Sequence, residues 1–189
     1  MELFFGIVLL VLAAGMVVLF AMVGELASRV GDPASRSRSV EVLPLDQARV
    51  GHVPAGWPDG LAALGAADGA VLLVLSTVCN TCRQLAPEVA ALAGTGGVDG
   101  RPLLGVVVTC GNADSGAEFV ATYGLDRLPH HVDVAGDWVQ GEFDIHTSPA
   151  AVLLAAGRVR AALLFDDIAA LLARSVQILD EQQPEEVAR

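Results

Sequence analysis

The stretch Ala70-Val71-Leu72-Leu73-Val74-Leu75-Ser76-Thr77-Val78-Cys79-Asn80-Thr81-Cys82-Arg83-Gln84-Leu85-Ala86-Pro87 sets a C-x-x-C motif where an apolar run ends and an amphipathic pattern begins. Ala70 to Leu75 is continuously apolar, as a strand buried on both faces must be, and from Cys79 onward the apolar spacing turns helical. The motif therefore falls at a strand-to-helix junction. A helix N-terminus carries unpaired N–H groups and the positive end of the helix dipole, and both stabilise a thiolate on the first cysteine. Cys79 is the expected nucleophile. Cys82, one turn later on the same face, is the expected resolving thiol, able to attack a mixed disulfide at Cys79.

Two other uses of a C-x-x-C compete. Structural zinc needs two further ligands. The remaining candidates, Cys110 and the histidines His52, His130, His131 and His146, form no second tight pair. Two inert core cysteines are the other alternative, since free Cys packs as a small apolar residue. The junction favours redox chemistry, with no metal and no bound cofactor required.

The 189 residues have room for one ordinary domain and an appendage. Hydrophobic residues make up 53%, and the excess lies at the start, where Leu3 to Val23 are 21 residues without a charge. At ~1.5 Å per residue such a helix roughly matches the ~30 Å hydrocarbon core, so residues 3–23 are expected to form one transmembrane helix. A cleaved signal peptide fits less well, because no basic residue precedes the run, the run is long, and no small-x-small site follows. Arg29, Arg36 and Arg38 follow the run and no basic side chain precedes it. That bias would retain the C-terminal domain in the cytoplasm. The net charge of -11, with arginines scattered and lysine absent, argues against nucleic acid as a partner. Three cysteines are too few for a disulfide-stapled scaffold.

Residues 24–60 read as a tether and an approach to the domain: Ser35-Arg-Ser-Arg-Ser39 cannot bury apolar area, and Pro44, Pro54 and Pro58 break anything longer than a short strand near Val40–Leu45. Trp57 is expected against the domain's edge. The domain itself is expected over 61–180. Strands are expected at Val71–Ser76, Leu103–Thr109, His131–Ala135, Ala150–Leu154 and Val159–Leu164, the last two joined by a hairpin turn at Gly157. Helices are expected at Cys79–Leu92, ended by the glycines from Gly94 to Gly97, at Asp114–Tyr123, stopped by Gly124, at Asp137–Phe143, and after Asp166 as cap, with Ile168, Leu171, Leu172 and Leu179 apolar. Residues 181–189 read as an acidic tail that frays. This order demands a mixed sheet with helices on both faces.

From Ala70 to about Leu179 the chain resembles the thioredoxin-like superfamily. The C-x-x-C lies at the first strand–helix junction, Pro87 five residues after Cys82 matches the family's helix proline, and Arg83 resembles the basic residue that often follows the motif. The stretch Phe143-Asp144-Ile145-His146-Thr147-Ser148-Pro149-Ala150 resembles the loop that carries the family's cis-proline. The resemblance implies a three-layer α/β/α fold and a cis Pro149 facing the dithiol, where Ser148 and Pro149 form a substrate loop. With the apolar N-terminus, the tether and Ser76-x-x-Cys79-x-x-Cys82 it resembles the membrane-anchored MauD and TlpA/ResA-type thiol-disulfide oxidoreductases. The relatives it resembles generally work outside the cytoplasm, against the arginine bias, so the side occupied by the domain stays open.

Departures from that pattern fall on proton transfer. Val78 stands where thioredoxin has tryptophan, Asn80-Thr81 lacks the common proline, Leu73 replaces the buried acid, and Leu85 replaces the TlpA-type glutamate. Glu88, His146 or water is left to deprotonate Cys82. Solvated Glu88 and a loop His146 without a role are the plainer readings. Cys110 reads as a buried strand-end residue, with a third redox thiol as the alternative. The resemblance implies a membrane-tethered thiol-disulfide oxidoreductase acting on protein disulfides and recycled by an electron-donor protein. The alternative is a non-catalytic thioredoxin-like interaction module or assembly factor at the membrane.

Overall fold

The computed structural model describes residues 42–94 and 102–181, together with Phe4, Gly6, Gly15, Met16 and Phe20. The chain divides into two compact units, Met1–Ser39 and Val40–Arg189. In the first, the five described residues are helical and the side chains of Phe4, Met16 and Phe20 are exposed. Among the described residues no helix is long and apolar enough to cross a membrane. The span expected over 3–23 lies mostly outside the described residues, as do Ser35–Ser39, Thr95–Gly97 and the tail from 182.

In the second unit everything is built on strand β2 (Gly69–Ser76). Its residues Ala70 to Leu75 are all 2% exposed or less, because β2 has a strand on each side and helices over both faces. Burying one such Val or Leu side chain contributes about 1.5–3 kcal/mol relative to leaving it exposed, so this run is the stabilising centre of the fold. β2 pairs in parallel with β3 (Leu103–Cys110), which pairs in parallel with β4 (His130–Val134) at the sheet's edge. On its other side β2 pairs antiparallel with β5 (Ala150–Ala155), which pairs antiparallel with β6 (Arg158–Leu164). The two-residue β1 (Leu43–Pro44), kept short by its proline, closes that edge on β6.

The helices divide between the faces as the connections require. The two crossovers from β2 to β3 and from β3 to β4 step in the same direction, and right-handed connections then put α2 (Asn80–Ala91) and α3 (Ala113–Tyr123) on one face. Leu85, Val89, Phe119 and Val120 pack there with alternate residues of β2 and β3, joined by Ile168 and Leu171 of α5 (Ile168–Asp180). To reach β5 from the far edge the chain returns over the opposite face. That return carries α4 (Asp137–Phe143), whose Val139 and Phe143 pack with α1 (Ala62–Ala66), Leu45 and Ala48.

Several expectations need correction in detail. Residues 42–60 are more than an approach to the domain, since Leu45 and Ala48 are buried in it; Trp57 packs against the domain as expected, its ring centroid 5.7 Å from that of Trp138. Helix α1 was not expected; at five residues it is too short for an apolar period, and it fits because a Cβ on Gly105 of β3 would come within 2.6 Å of Leu64. The last helix is capped by Asp167, which accepts from the Ala170 N–H at 2.8 Å, and not by its neighbour Asp166. The β5–β6 turn places both Ala156 (φ 49°) and Gly157 (φ 71°) in the left-handed region, which suits a two-residue hairpin even though only one of the two is glycine.

Candidate active site

Strand β2 ends at Ser76, the Thr77 N–H is held by the Thr109 carbonyl at 3.1 Å, and the Cys79 N–H bonds to the Ser76 carbonyl at 3.2 Å. This turn makes Cys79 the N-cap of α2, with extended backbone and its sulfur accepting the Cys82 N–H at 3.1 Å. A sulfur thus takes the place that a Ser or Asp oxygen usually holds at a helix start. Arg83 folds back so that its guanidinium donates to the Thr77 carbonyl at 2.6 Å, closing the turn from outside. Cys79 is half-buried and the preceding Val78 is 83% exposed.

Cys82 lies behind Cys79 and is fully buried among Leu85, Ala86 and the β2 side chains. Burial pushes its thiol up to about 12, aided by its hydrogen bond to the Cys79 sulfur. A backbone bond to Ser76 and a side-chain bond to Ser148 act in the opposite sense. All three cysteines are free thiols. The arrangement offers one sulfur to solvent and keeps the other dry.

The loop before β5 completes the site. The Ser148–Pro149 peptide bond is cis, and the Ser148 carbonyl accepts from the Cys79 thiol at 3.6 Å across 69 residues of sequence. Of the possible site residues Ser148, Glu88 and His146, Ser148 is brought to the dithiol through its carbonyl. Glu88 is exposed on α2. His146 is exposed and its Nε2 lies 2.9 Å from Asp144 Oδ1. Cys110 is buried at the end of β3, its sulfur 3.8 Å from the Asp133 carbonyl, and burial raises its thiol. His130 and His131 lie on the edge strand, His130 bonded to the Leu128 carbonyl and His131 edge-on to Trp138. Among the described residues no cluster of three His, Cys, Asp or Glu side chains can hold a metal ion.

Sequence reasoning missed the groups that hold the loop from behind. Asp133, 4% exposed, accepts the N–H groups of Trp138 (3.2 Å) and Val139 (2.9 Å) and so caps α4, the helix that leads into the Ser148–Pro149 loop. Glu142 Oε2 takes both His52 Nε2 and the Ala55 N–H at 3.0 Å, while Arg49 donates to the Gly141 carbonyl at 2.7 Å. The His52 bond holds the Glu142 carboxyl below its ordinary value. The only sequence sign of Asp133 is an acid inside a strand four residues before a helix.

No family model matches the chain, and no curated protein matches it. Solved structures do. A putative thioredoxin from Neisseria meningitidis aligns with a TM-score of 0.54 at 17% identity, over 72% of this chain and 95% of that one. A putative thiol:disulfide interchange protein DsbE from Chlorobium tepidum aligns at 0.53 and 17%, over 75% and 98%. MTB dsbF, solved in mixed oxidised and reduced forms, aligns at 0.52 and 23%, over 72% and 98%. At these identities the likeness shows the fold alone: the described residues of the second unit have a thioredoxin-like fold, and the C-x-x-C stands where the central strand meets α2.

Proposed function

We propose that this protein is a membrane-tethered thiol-disulfide oxidoreductase that reduces or exchanges disulfides in protein substrates. One observation carries the reading: a half-buried Cys79 caps α2, a fully buried Cys82 bonds to its sulfur, and the Ser148–cis-Pro149 loop closes on the same sulfur. The thiolate of Cys79 attacks one sulfur of a client disulfide, forming a mixed disulfide and releasing the other client sulfur. Cys82 then attacks Cys79 Sγ, the client leaves fully reduced, and the pair is left oxidised. An electron-donor protein must then re-reduce the pair.

The tether rests on the 21 uncharged residues from Leu3 to Val23 and on the exposure of Phe4, Met16 and Phe20, whose apolar side chains suit a lipid surrounding. The test is turnover. Purified protein supplied with a dithiol reductant should reduce a disulfide-bonded protein substrate, and Cys79→Ser should abolish turnover. Turnover that survives Cys79→Ser contradicts the reading, and a folded wild type without turnover favours an interaction module instead.

A further inference from the structure

The turn Arg49-Val50-Gly51-His52 is fastened to the domain on two sides and still turns apolar side chains to solvent. The His52 N–H bonds to the Arg49 carbonyl at 3.1 Å and Gly51, in third place, has φ 86°, as in a type II turn with Val50 at its tip. The Gly51 N–H bonds to the Val159 carbonyl at 2.8 Å and the Val159 N–H to the His52 carbonyl at 2.9 Å, which pins the turn to β6. His52 and Glu142, 3.0 Å apart, pin it to α4. Val50 is nevertheless 61% exposed, and Val53 just after the turn 48%.

Arginines gather around these valines. Arg49 donates to the Gly141 carbonyl at 2.7 Å and Arg158 to the Gly51 carbonyl, and both side chains are exposed. Arg160, two residues further along β6, is half-buried and its Nε has no hydrogen-bond partner. Three of the six arginines among the described residues thus meet here, in a chain of net charge -11. Of the acids nearby, Glu142 is taken by His52 and the Ala55 N–H; Asp46, three residues before Arg49, is exposed. The place of this patch in the sheet matters too. Arg158 pairs with Ala155 and Ala155 with Gly69, the first residue of β2, whereas Cys79 follows the last residue, Ser76. About 25 Å of strand therefore separates the patch from the dithiol.

Resting on the membrane-tethered reading, we propose that this turn docks the domain on an anionic phospholipid surface. Val50 and Val53 enter the headgroup layer, Arg49, Arg158 and Arg160 meet lipid phosphates, and Cys79 faces away from the bilayer toward its clients. Apolar side chains gain by leaving water at such an interface, and each arginine near an anionic leaflet adds to the attraction. Two valines are too little apolar area for a stable protein partner, which covers about 800 Å² a side. A tethered domain is already held at the surface, so a weak contact suffices to choose its orientation. Residues 24–39, fully extended, span at most about 55 Å, enough to leave that choice to the contact.

The experiment uses the full chain in a Cys79→Ser background, where the two remaining thiols are buried. A bimane label is placed at Val50→Cys or, at the dithiol end, at Val78→Cys, and the protein is reconstituted into vesicles of brominated phosphatidylcholine with or without phosphatidylglycerol. The bromine should quench the label at 50 and leave the label at 78 bright, and the quenching should fall severalfold without phosphatidylglycerol or in high salt. Arg160→Gln, which removes a charge whose Nε bonds to nothing, should weaken docking about fivefold. Equal quenching at both positions, quenching at 50 that ignores lipid charge, or none at 50 in protein that floats with the vesicles overturns the proposal. Protein that does not float with the vesicles overturns the membrane-tethered reading, and this proposal with it.

Discussion

Cys79 and Cys82 lie three residues apart in opposite surroundings. The first borders solvent and caps the helix; the second has no exposed surface, and its thiol is raised from the ordinary 9.0 to about 12, chiefly by burial. Between those two values the folded protein holds a proton that the unfolded chain has released. Raising the pH therefore favours unfolding: the contribution is intact below pH 9 and is lost as the pH climbs toward 12. The urea midpoint of the reduced protein should fall from about pH 9 upward, and Cys82→Ala should flatten part of that fall. The rest belongs to Cys110, also raised by burial. A midpoint as steady in wild type as in Cys82→Ala would contradict the dry surroundings described for this thiol. At this scale the sequence identified the pair, since spacing and junction are local. The contact from the Ser148 carbonyl to the Cys79 sulfur is made by the fold across 69 residues of sequence, and only the family likeness of its loop pointed there.

At the scale of elements, α4 has the largest task for its length. Seven residues carry the chain back over the sheet and aim the Ser148–Pro149 loop at α2. Its N-cap, Gly136, has no side chain to offer, and Asp133 supplies the missing acceptor from the end of β4. Asp133→Ala would leave two N–H groups without that acceptor and should cost about 2 kcal/mol, read as a lower urea midpoint. Because α4 feeds the loop, the same variant should slow turnover while the Cys79 thiol still reacts with a small alkylating reagent. An Asp133→Ala protein as stable as wild type would contradict the capping role. The helix α4 was legible because its bounds are marked by Asp137 and by the apolar Val139 and Phe143. The strap of Arg49, His52 and Glu142 was not, since polar residues between prolines read as loop until the sheet brings them to α4.

For the whole molecule, the mixed sheet and the two-faced helix cover follow from the alternation of apolar runs and turn residues, and β2 was recognisable from its unbroken apolar run alone; the order of the strands across the sheet was not read from the sequence. What composition could not reveal is how residues 42–60 join the domain, because Leu45, Ala48 and Trp57 are scattered among prolines and charges and pack only against distant elements. In the proposed cycle a client disulfide is captured at Cys79 and released by Cys82. The most direct measurement is to express the full chain as Cys82→Ala in cells, quench thiols, recover membranes, and look for adducts on a non-reducing gel. Reductant-sensitive complexes heavier than the protein itself should be present in Cys82→Ala and absent when Cys79→Ala is added. A folded Cys82→Ala protein that forms no such complex, or one whose complexes persist without Cys79, would contradict it.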